Sequence, residues 1–503
     1  MKKQGFDNEK YLQEQSKAIL ERIDKFEERL YLEFGGKILY DYHAARVLPG
    51  YDPNIKIKLL KQLKNKLDII LCIYAGDIEK GRIRGDFGLT YDLDALKLID
   101  DLREHGLEIL AVVITRFDNQ AQAIRFKNLL ERRGIKVYLH SATKGYPTDI
   151  DTIVSEEGYG KNPYIQTKNP LVVITGPGPG SGKLATCLSQ LYHDYKKGIK
   201  SGYAKFETFP IWNLPLKHTV NLAYEAAAAD IGDFNLIDPF HLAAYAENTV
   251  NYNRDVEVFP VLKRILEKIT GGKFVYQSPT DMGVNRAGFA ITNDEVVDEA
   301  AKQELIRRYF RYNYEYILGI EKKETLEKAK LLLEEVKIKP EDRRVVEPAR
   351  QAAAQPKKDK SAPELSTGAA IELKNGKIIT GKNSMLMSAS SAVILNAIKE
   401  AADIPDKIHL LSPNVIDRIK GLKKDILRMK SEYLDLEETL ICLSMSAATN
   451  PTAEVAMEKL GELEGCEVHL THIPTAGDGT GLRRLRVNLT TDANFPSGDL
   501  FLK

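Results

Sequence analysis

Leu171–Gln190 reads LVVITGPGPGSGKLATCLSQ. Leu171, Val172, Val173 and Ile174 are apolar and mostly β-branched, the composition of a strand buried on both faces. Gly176, Gly178, Gly180 and Gly182 then alternate through a short loop, Lys183 follows, and Leu184–Tyr192 has helical spacing. A strand, a glycine loop and a helix start, in that order, bring unpaired N–H groups and the positive end of a helix dipole to one point. Glycine lets a ligand approach that backbone with no Cβ in the way. The segment therefore predicts a phosphate site, with Gly176, Gly178, Gly180, Ser181, Gly182 and Lys183 as binding residues.

The loop departs from the usual nucleoside-triphosphate pattern G-x-x-x-x-G-K-[ST]. Gly182 and Lys183 match its end, but the first glycine would fall at Pro177, and Leu184 stands where a Mg²⁺-binding hydroxyl belongs. Thr186 lies about one helical turn further on. Against G-x-G-x-x-G, Gly178 and Gly180 fit, and Lys183 replaces the last glycine. A Gly- and Pro-rich connection with no ligand is the competing reading.

Outward from this loop, the first half of the chain alternates strand and helix patterns. Strands are expected at Lys37–Tyr42, Asp68–Tyr74, Glu108–Thr115, Ile135–His140, Leu171–Thr175 and Gly202–Phe206, with helices between them. Continuous apolar strands separated by helices predict an α/β fold with a parallel, Rossmann-like sheet covered on both faces. Residues 1–211 are read as that domain, and 212–336 as a mainly helical subdomain with a short strand near 273–277. The Pro- and Lys-rich stretch 337–365 reads as a linker. Residues 366–503 read as a smaller C-terminal α/β domain, opening on a hairpin at Asn375-Gly376 and with a strand at Lys407–Leu411.

Ligands of open parallel sheets sit beyond the carboxyl ends of the strands. Arg82 and Arg84, with Asp86, lie in a glycine-punctuated loop there; guanidinium groups grip phosphate well, although the loop also reads as a surface hairpin. Arg116 and Asp118, then Ser141, Thr143 and Lys144, then Lys205, Glu207 and Thr208 follow later strands. Arg82, Arg84 and Lys144 join the loop as phosphate ligands in this reading. Asn251–Asp255 and Ser278–Gly288 add Thr280, Asp281, Asn285 and Arg286, residue types that also serve simply as turns and caps. Asp281, Glu207 and Lys183 are the catalytic candidates. His469 and His472 do not share a strand face and are rejected as a metal pair, and no metal site is read.

A chain of 503 residues calls for two or three domains, and 43% hydrophobic residues suits a globular protein. Seventy-two Lys and Arg balance 71 Asp and Glu, a net charge of +1, which gives no electrostatic case for nucleic acid or an anionic membrane. No apolar run reaches the length of a membrane span, and the basic start has no hydrophobic core behind it. Four scattered cysteines form no C-x-x-C pair; they suit a reducing cytoplasm, where the protein is expected.

EFGGKILYDYHAARVLPGYDPNIK, TGPGPGSGKLATCLSQLYHDY, NYNRDVEVFP, SPTDMGVNRAGF and LSMSAATNPTAEVA together resemble a bacterial family of about this length whose biochemical role is unassigned. The resemblance spans nearly the whole chain and implies a cytoplasmic two-part α/β protein; it supplies no catalytic residues. GAAIELKNGKIITGKNS is similar to the opening of a cytidine-deaminase-like fold, but that family's zinc signature, H-x-E with P-C-x-x-C, is absent.

The sequence thus points to an enzyme that binds a nucleotide or phosphorylated metabolite, with Mg²⁺ a candidate companion of a nucleotide. Phosphoryl or glycosyl-type transfer fits better than hydride transfer, because the loop follows the fifth strand and lacks dinucleotide spacing. An NAD(P)-dependent oxidoreductase is the alternative enzyme. A non-catalytic sensor of a phosphorylated ligand, self-associating through its C-terminal domain, is the alternative of another class.

Overall fold

The longest apolar runs become the centre of a sheet. In a computed structural model, which describes residues 4–84, 88–272, 275–355, 365–429 and 431–496, seven strands form it. They are β1 (Arg29–Phe34), β2 (Leu67–Tyr74), β3 (Ile109–Thr115), β4 (Val137–Leu139), β5 (Leu171–Thr175), β6 (Ser201–Phe206) and β7 (Gly283–Val284). Their order is β7-β6-β1-β5-β2-β3-β4, and every pair is parallel. Every residue of β5 is buried, as a central strand covered on both faces requires.

The two faces carry different helices. Tyr31, Cys72, Val172, Ile174 and Tyr203 pack with Cys187, Leu188 and Leu191 of helix Lys183–Lys196 and with Leu262 and Ile265 of helix Asn253–Thr270. Leu71, Ile73, Val112 and Ile114 pack on the other side with Ala95 and Ile99 of helix Tyr91–Glu104, and with Phe126 and Leu130 of helix Ala121–Arg132. The helix after β5 and the helices after β2 and β3 therefore lie on opposite faces. Since β5 and β2 are neighbours, their connections diverge at their carboxyl ends, the switch point at which open α/β sheets generally bind ligands.

Two compact units divide the chain, one running from Gln4 to Ala301 and the other from Lys302 onward; the boundary falls inside helix Asp294–Ile317. The later unit has its own sheet: β8 (Gly368–Glu372), β9 (Ile378–Lys382), β10 (Glu467–Leu470) and β11 (Asn488–Thr491), in the order β9-β8-β10-β11. The β8–β9 hairpin turns at Asn375-Gly376, where Gly376 takes φ +85°. Helices Ala389–Ala401 and Leu436–Ala447 cover this sheet through Val393, Ile394, Ile398, Cys442 and Leu443.

Several expectations give way. The first strand is Arg29–Phe34, not Lys37–Tyr42; Asp41 instead caps helix Tyr42–Val47. Lys407–Leu411 is not a strand, and neither is 275–277; residues 273–274 lie outside the described residues. The stretch 212–336, read as a mainly helical subdomain packed on the first domain, is divided: residues 212–301 add β7 to the first sheet and belong to its unit, and 302–336 fall in the other. The expected linker is core over its first half. Helix Val346–Ala354 packs Ala349 against Ala370 of β8, and a Cβ on Gly368 would lie 2.3 Å from the Ala349 carbonyl. Within that first half, Arg343 is 1% exposed. Residues 356–364 of that stretch lie outside the described residues.

Candidate functional site

The glycine loop lies at the carboxyl end of β5, pressed onto its neighbours along one side. A Cβ on Gly176 would meet the Cys72 carbonyl at 2.4 Å, one on Gly178 would meet the Tyr91 ring at 2.5 Å, and one on Gly182 would meet Thr115 at 2.7 Å. Thr115 Oγ1 donates to the Ser181 carbonyl at 2.7 Å, and Arg116, its guanidinium stacked over Tyr74, donates to the Gly180 carbonyl at 2.5 Å. Gly182, at φ +88°, turns the chain into helix Lys183–Lys196, whose N-terminus has no side-chain cap. Among the described residues no protein group accepts from the amides of Gly180, Gly182 or Lys183. Pro179 and Gly180 are exposed, while Ser181 is buried. The loop is thus anchored by its carbonyls and leaves its helix-start amides without partners, the polarity that suits an anion.

Lys183 folds back over the loop. Its Nζ lies 3.2 Å from the Gly178 carbonyl and 3.4 Å from Ser181 Oγ. Burial pulls its pKa below the ordinary lysine value, and the carboxylate of Glu33 opposes that fall. Thr186, one turn on, donates its hydroxyl to the Gly182 carbonyl at 3.0 Å.

Glu33 links this loop to a second cluster. It stands in register with Ile174 of β5 on one side and Lys205 of β6 on the other. Side chains alternate along a strand, so Glu33 and Lys205 face the same side as Tyr31 and Tyr203, toward helices 183–196 and 253–270. Tyr203 donates to Glu33 Oε2 at 2.7 Å. Lys205 Nζ lies 2.5 Å from Asp255 Oδ2, 2.9 Å from Glu207 Oε1 and in contact with the Tyr252 hydroxyl, which itself donates to Glu207 Oε1 at 3.1 Å. Burial works against the Lys205 ammonium, but Asp255 and Glu207 outweigh it and hold the group charged well above the ordinary lysine range. Burial, with Asp255 nearby, pushes the Glu207 carboxyl up to about 7 in spite of Lys205. A carboxyl poised there can take or give a proton at neutral pH. Beside it lies a small opening of about 10 Å³, the room of about one water molecule, lined by Glu207, Trp212, Asn251, Thr280, Gly283 and Asn285 among others.

The other candidates are distributed unevenly. Arg82 stacks 5.6 Å above the Tyr91 ring that touches Gly178, and pairs with Asp77 at 3.5 Å, so it stands beside the loop. Arg84 lies in the short strand Ile83–Arg84; its side chain and Asp86 are outside the described residues. Lys144 is exposed and pairs with exposed Glu157, away from the glycine loop's contacts. Asp281 is turned to other partners: Arg22 at 4.0 Å, the Tyr245 hydroxyl at 3.2 Å and the Gln277 amide at 3.1 Å. Lys183 and Glu207 are thus joined by one electrostatic cluster, whereas Asp281 and Lys144 are not. The members that sequence reading missed are Glu33, hidden in a strand placed too late, and the pairing of Asp255 and Tyr252 with Lys205. Among the described residues, no three His, Cys, Asp or Glu side chains are grouped to hold a metal ion, and no helix is long and apolar enough to cross a membrane.

The family described as "Domain of unknown function DUF1846, N-terminal" matches residues 4–337, and its C-terminal counterpart matches 341–501. This chain belongs to the DUF1846 family. Among its relatives, the "UPF0371 protein" of Clostridium botulinum (strain Langeland) is 59% identical over 497 residues, 99% of each chain. The "UPF0371 protein" of Clostridium tetani is 58% identical over the same length and share. The DUF1846 match divides at residues 337–341, so the C-terminal family segment begins just ahead of Arg343, whose side chain is buried.

Proposed function

We propose that this chain is an enzyme acting on a phosphorylated small molecule, with the phosphate at the Gly176–Lys183 loop and Glu207 as the group that moves a proton. The observation that carries the reading is the Glu33 bridge. One buried carboxylate, in register with both β5 and β6, ties a loop with unpartnered amides to a carboxyl that titrates near 7. A buried carboxyl displaced to near neutrality at the end of a parallel strand is a functional-site candidate, because a proton-moving group needs a pKa close to the working pH. The loop amides and Lys183 hold the phosphate, and Arg82, above Tyr91, adds positive charge at the rim.

Among the transfers this site could run, the glycosyl type is favoured over phosphoryl transfer from a nucleoside triphosphate. Leu184 offers no hydroxyl, and the Thr186 hydroxyl, one turn on, belongs to a fully buried residue. The test is a thermal-shift screen of the ligand-free protein with phosphorylated compounds, repeated for Lys183→Ala. A ligand that binds only the folded state raises Tm, by an amount set by its concentration relative to Kd. The reading expects a shift in the wild type and a smaller one in the variant. A screen in which no phosphorylated compound moves the wild-type Tm overturns it.

A further inference from the structure

In the second unit, helix Pro413–Gly421 and the wider turn Leu422–Ile426 that prolongs it lie antiparallel to helix Leu436–Ala447. Two contacts fix that direction. The Ser412 amide donates to Ser446 Oγ at 2.9 Å, and Lys423 Nζ pairs with Glu438 at 2.6 Å. On the inner side of the pair, Ile416, Cys442 and Leu443 are buried in the core.

The outer side is apolar too. Val415, Ile419, Leu422 and Ile426 follow one another at intervals of four, three and four residues, which keeps them on one stripe of the helix. Val415 and Ile419 lean on the core and are partly buried, whereas Leu422 is 45% exposed and Ile426 71%. On the neighbouring helix Ile441 and Met445 are 60% and 55% exposed. They lie three and seven residues after Glu438, hence on the side of their helix that borders the first. Ile419 and Ile426 stand in the same relation to Lys423, so the two stripes adjoin and form one face two helices wide.

That face is about 20 Å long, from about 14 residues at 1.5 Å each, and about 20 Å wide, from two helices of 10–12 Å. Apolar patches of this size on a soluble protein mark interaction sites. Two such faces closing on each other bury on the order of 1,000 Å², the size at which specific, reversible interfaces begin.

The charges beside the stripe identify the occupant. Arg418 and Asp425 flank it, about two turns apart, and both are exposed. Among the described residues neither is in an ion pair: Lys424, next to Asp425, pairs with Glu432 at 2.9 Å, and Lys423 pairs with Glu438. When two copies of the helix are brought together across a two-fold axis they run antiparallel, and Arg418 of each copy then faces Asp425 of the other. The face thus carries its own complement, in charge as in apolar surface, as a two-fold interface requires. We propose that this face joins two copies of the chain in a reversible two-fold dimer, with helices 413–426 and 436–447 of each copy packed against those of the other.

Sedimentation equilibrium of the full chain, from about 1 to about 100 µM, the range of a weak specific dimer, tests this. It compares wild type with Ile426→Lys, Ile441→Lys, Arg418→Asp and the double swap Arg418→Asp/Asp425→Arg. All four positions are exposed, so each variant should keep the wild-type Tm. Wild type should be dimeric at the top of the range. Either lysine variant should weaken the dimer by about tenfold or more, because it buries an ammonium in the apolar face. Arg418→Asp sets like charges opposite each other at two places and should weaken it by about tenfold, and the double swap should return it to within about threefold of wild type. Wild type that stays monomeric throughout overturns the inference. So does a dimer that both lysine variants leave unchanged, which has formed by another surface, and so does a double swap no tighter than Arg418→Asp alone, since the helices then do not meet antiparallel.

Discussion

Glu33 and Lys205 stand directly opposite each other on adjacent parallel strands, both turned to the same face of the sheet. Opposed charges at the carboxyl ends of two central strands form a fixed electrostatic seam. On one side of it Lys205 is locked to Asp255 and Glu207; on the other Lys183 senses the field of Glu33.

Lys205→Met should be among the most damaging single changes in the first unit. It strips the cation from two largely buried carboxylates, and breaking such a pair by removing one partner costs about 3–5 kcal/mol. Urea unfolding checks this. Adding Asp255→Asn to Lys205→Met should recover part of the loss, because one of the stranded charges is then gone.

Glu207 gives the stability of the first unit a pH dependence of a definite sign. Its carboxyl titrates from about 7 in the folded chain and from 4.5, its ordinary value, when unfolded. Between those values the folded state binds more protons at this group, so the contribution of Glu207 to stability is full below about 4.5 and is lost as pH rises through about 7. Tm measured against pH should show wild type declining across this window more steeply than Glu207→Gln, which has no proton to lose. Parallel curves for the two proteins would contradict the assignment.

Gly182 and Gly180 both have positive φ, +88° and +70°, but their surroundings differ. Ala at Gly180 would face open space, with the Arg116 guanidinium 4.0 Å away. It should cost the left-handed strain alone, about 1–2 kcal/mol. Ala at Gly182 would also drive into Thr115 at 2.7 Å, adding an overpacking cost of about 1–3 kcal/mol. Denaturation curves of the two variants should differ accordingly, with Gly182→Ala clearly the less stable.

Arg343 anchors the second unit. Its guanidinium reaches Glu467 Oε2 at 2.5 Å, Thr490 Oγ1 at 2.9 Å, the Asn488 carbonyl at 2.6 Å and the Val468 carbonyl at 3.3 Å. Despite burial, Arg307 and Arg343 hold the Glu467 carboxyl down to about 2. Arg343→Lys cannot reproduce a planar set of donors to four acceptors. It should shift the unit's urea transition to lower denaturant by about 1–3 kcal/mol, and Arg343→Met should do at least as much, since it removes the guanidinium donor from the Asn488 carbonyl.

The central strands and the loop were legible because their signals are local. Apolar β-branched runs such as Leu171–Ile174 have few alternatives to a buried strand, and alternating glycines before a helix have few alternatives to a tight turn. Glu33 was not legible. Its strand, RLYLEF, mixes charge with apolar residues, and only the sheet order explains why a glutamate is kept inside it. Asp281 and Glu207 look alike on paper; what separates them is the Lys205 pairing, which joins residues 50 positions apart. The 337–365 stretch misled because composition reports mean polarity, while Arg343 is polar and buried through long-range contacts with β10 and β11.

The first sheet ends in β7, two residues long, on one side and in β4, three residues long, on the other. Stubs of this length offer a second molecule little backbone of their own to pair with, and very short edge strands are a recognised defence against strand-by-strand polymerisation. The outermost strands of the large sheet are thus poor templates for another copy's backbone.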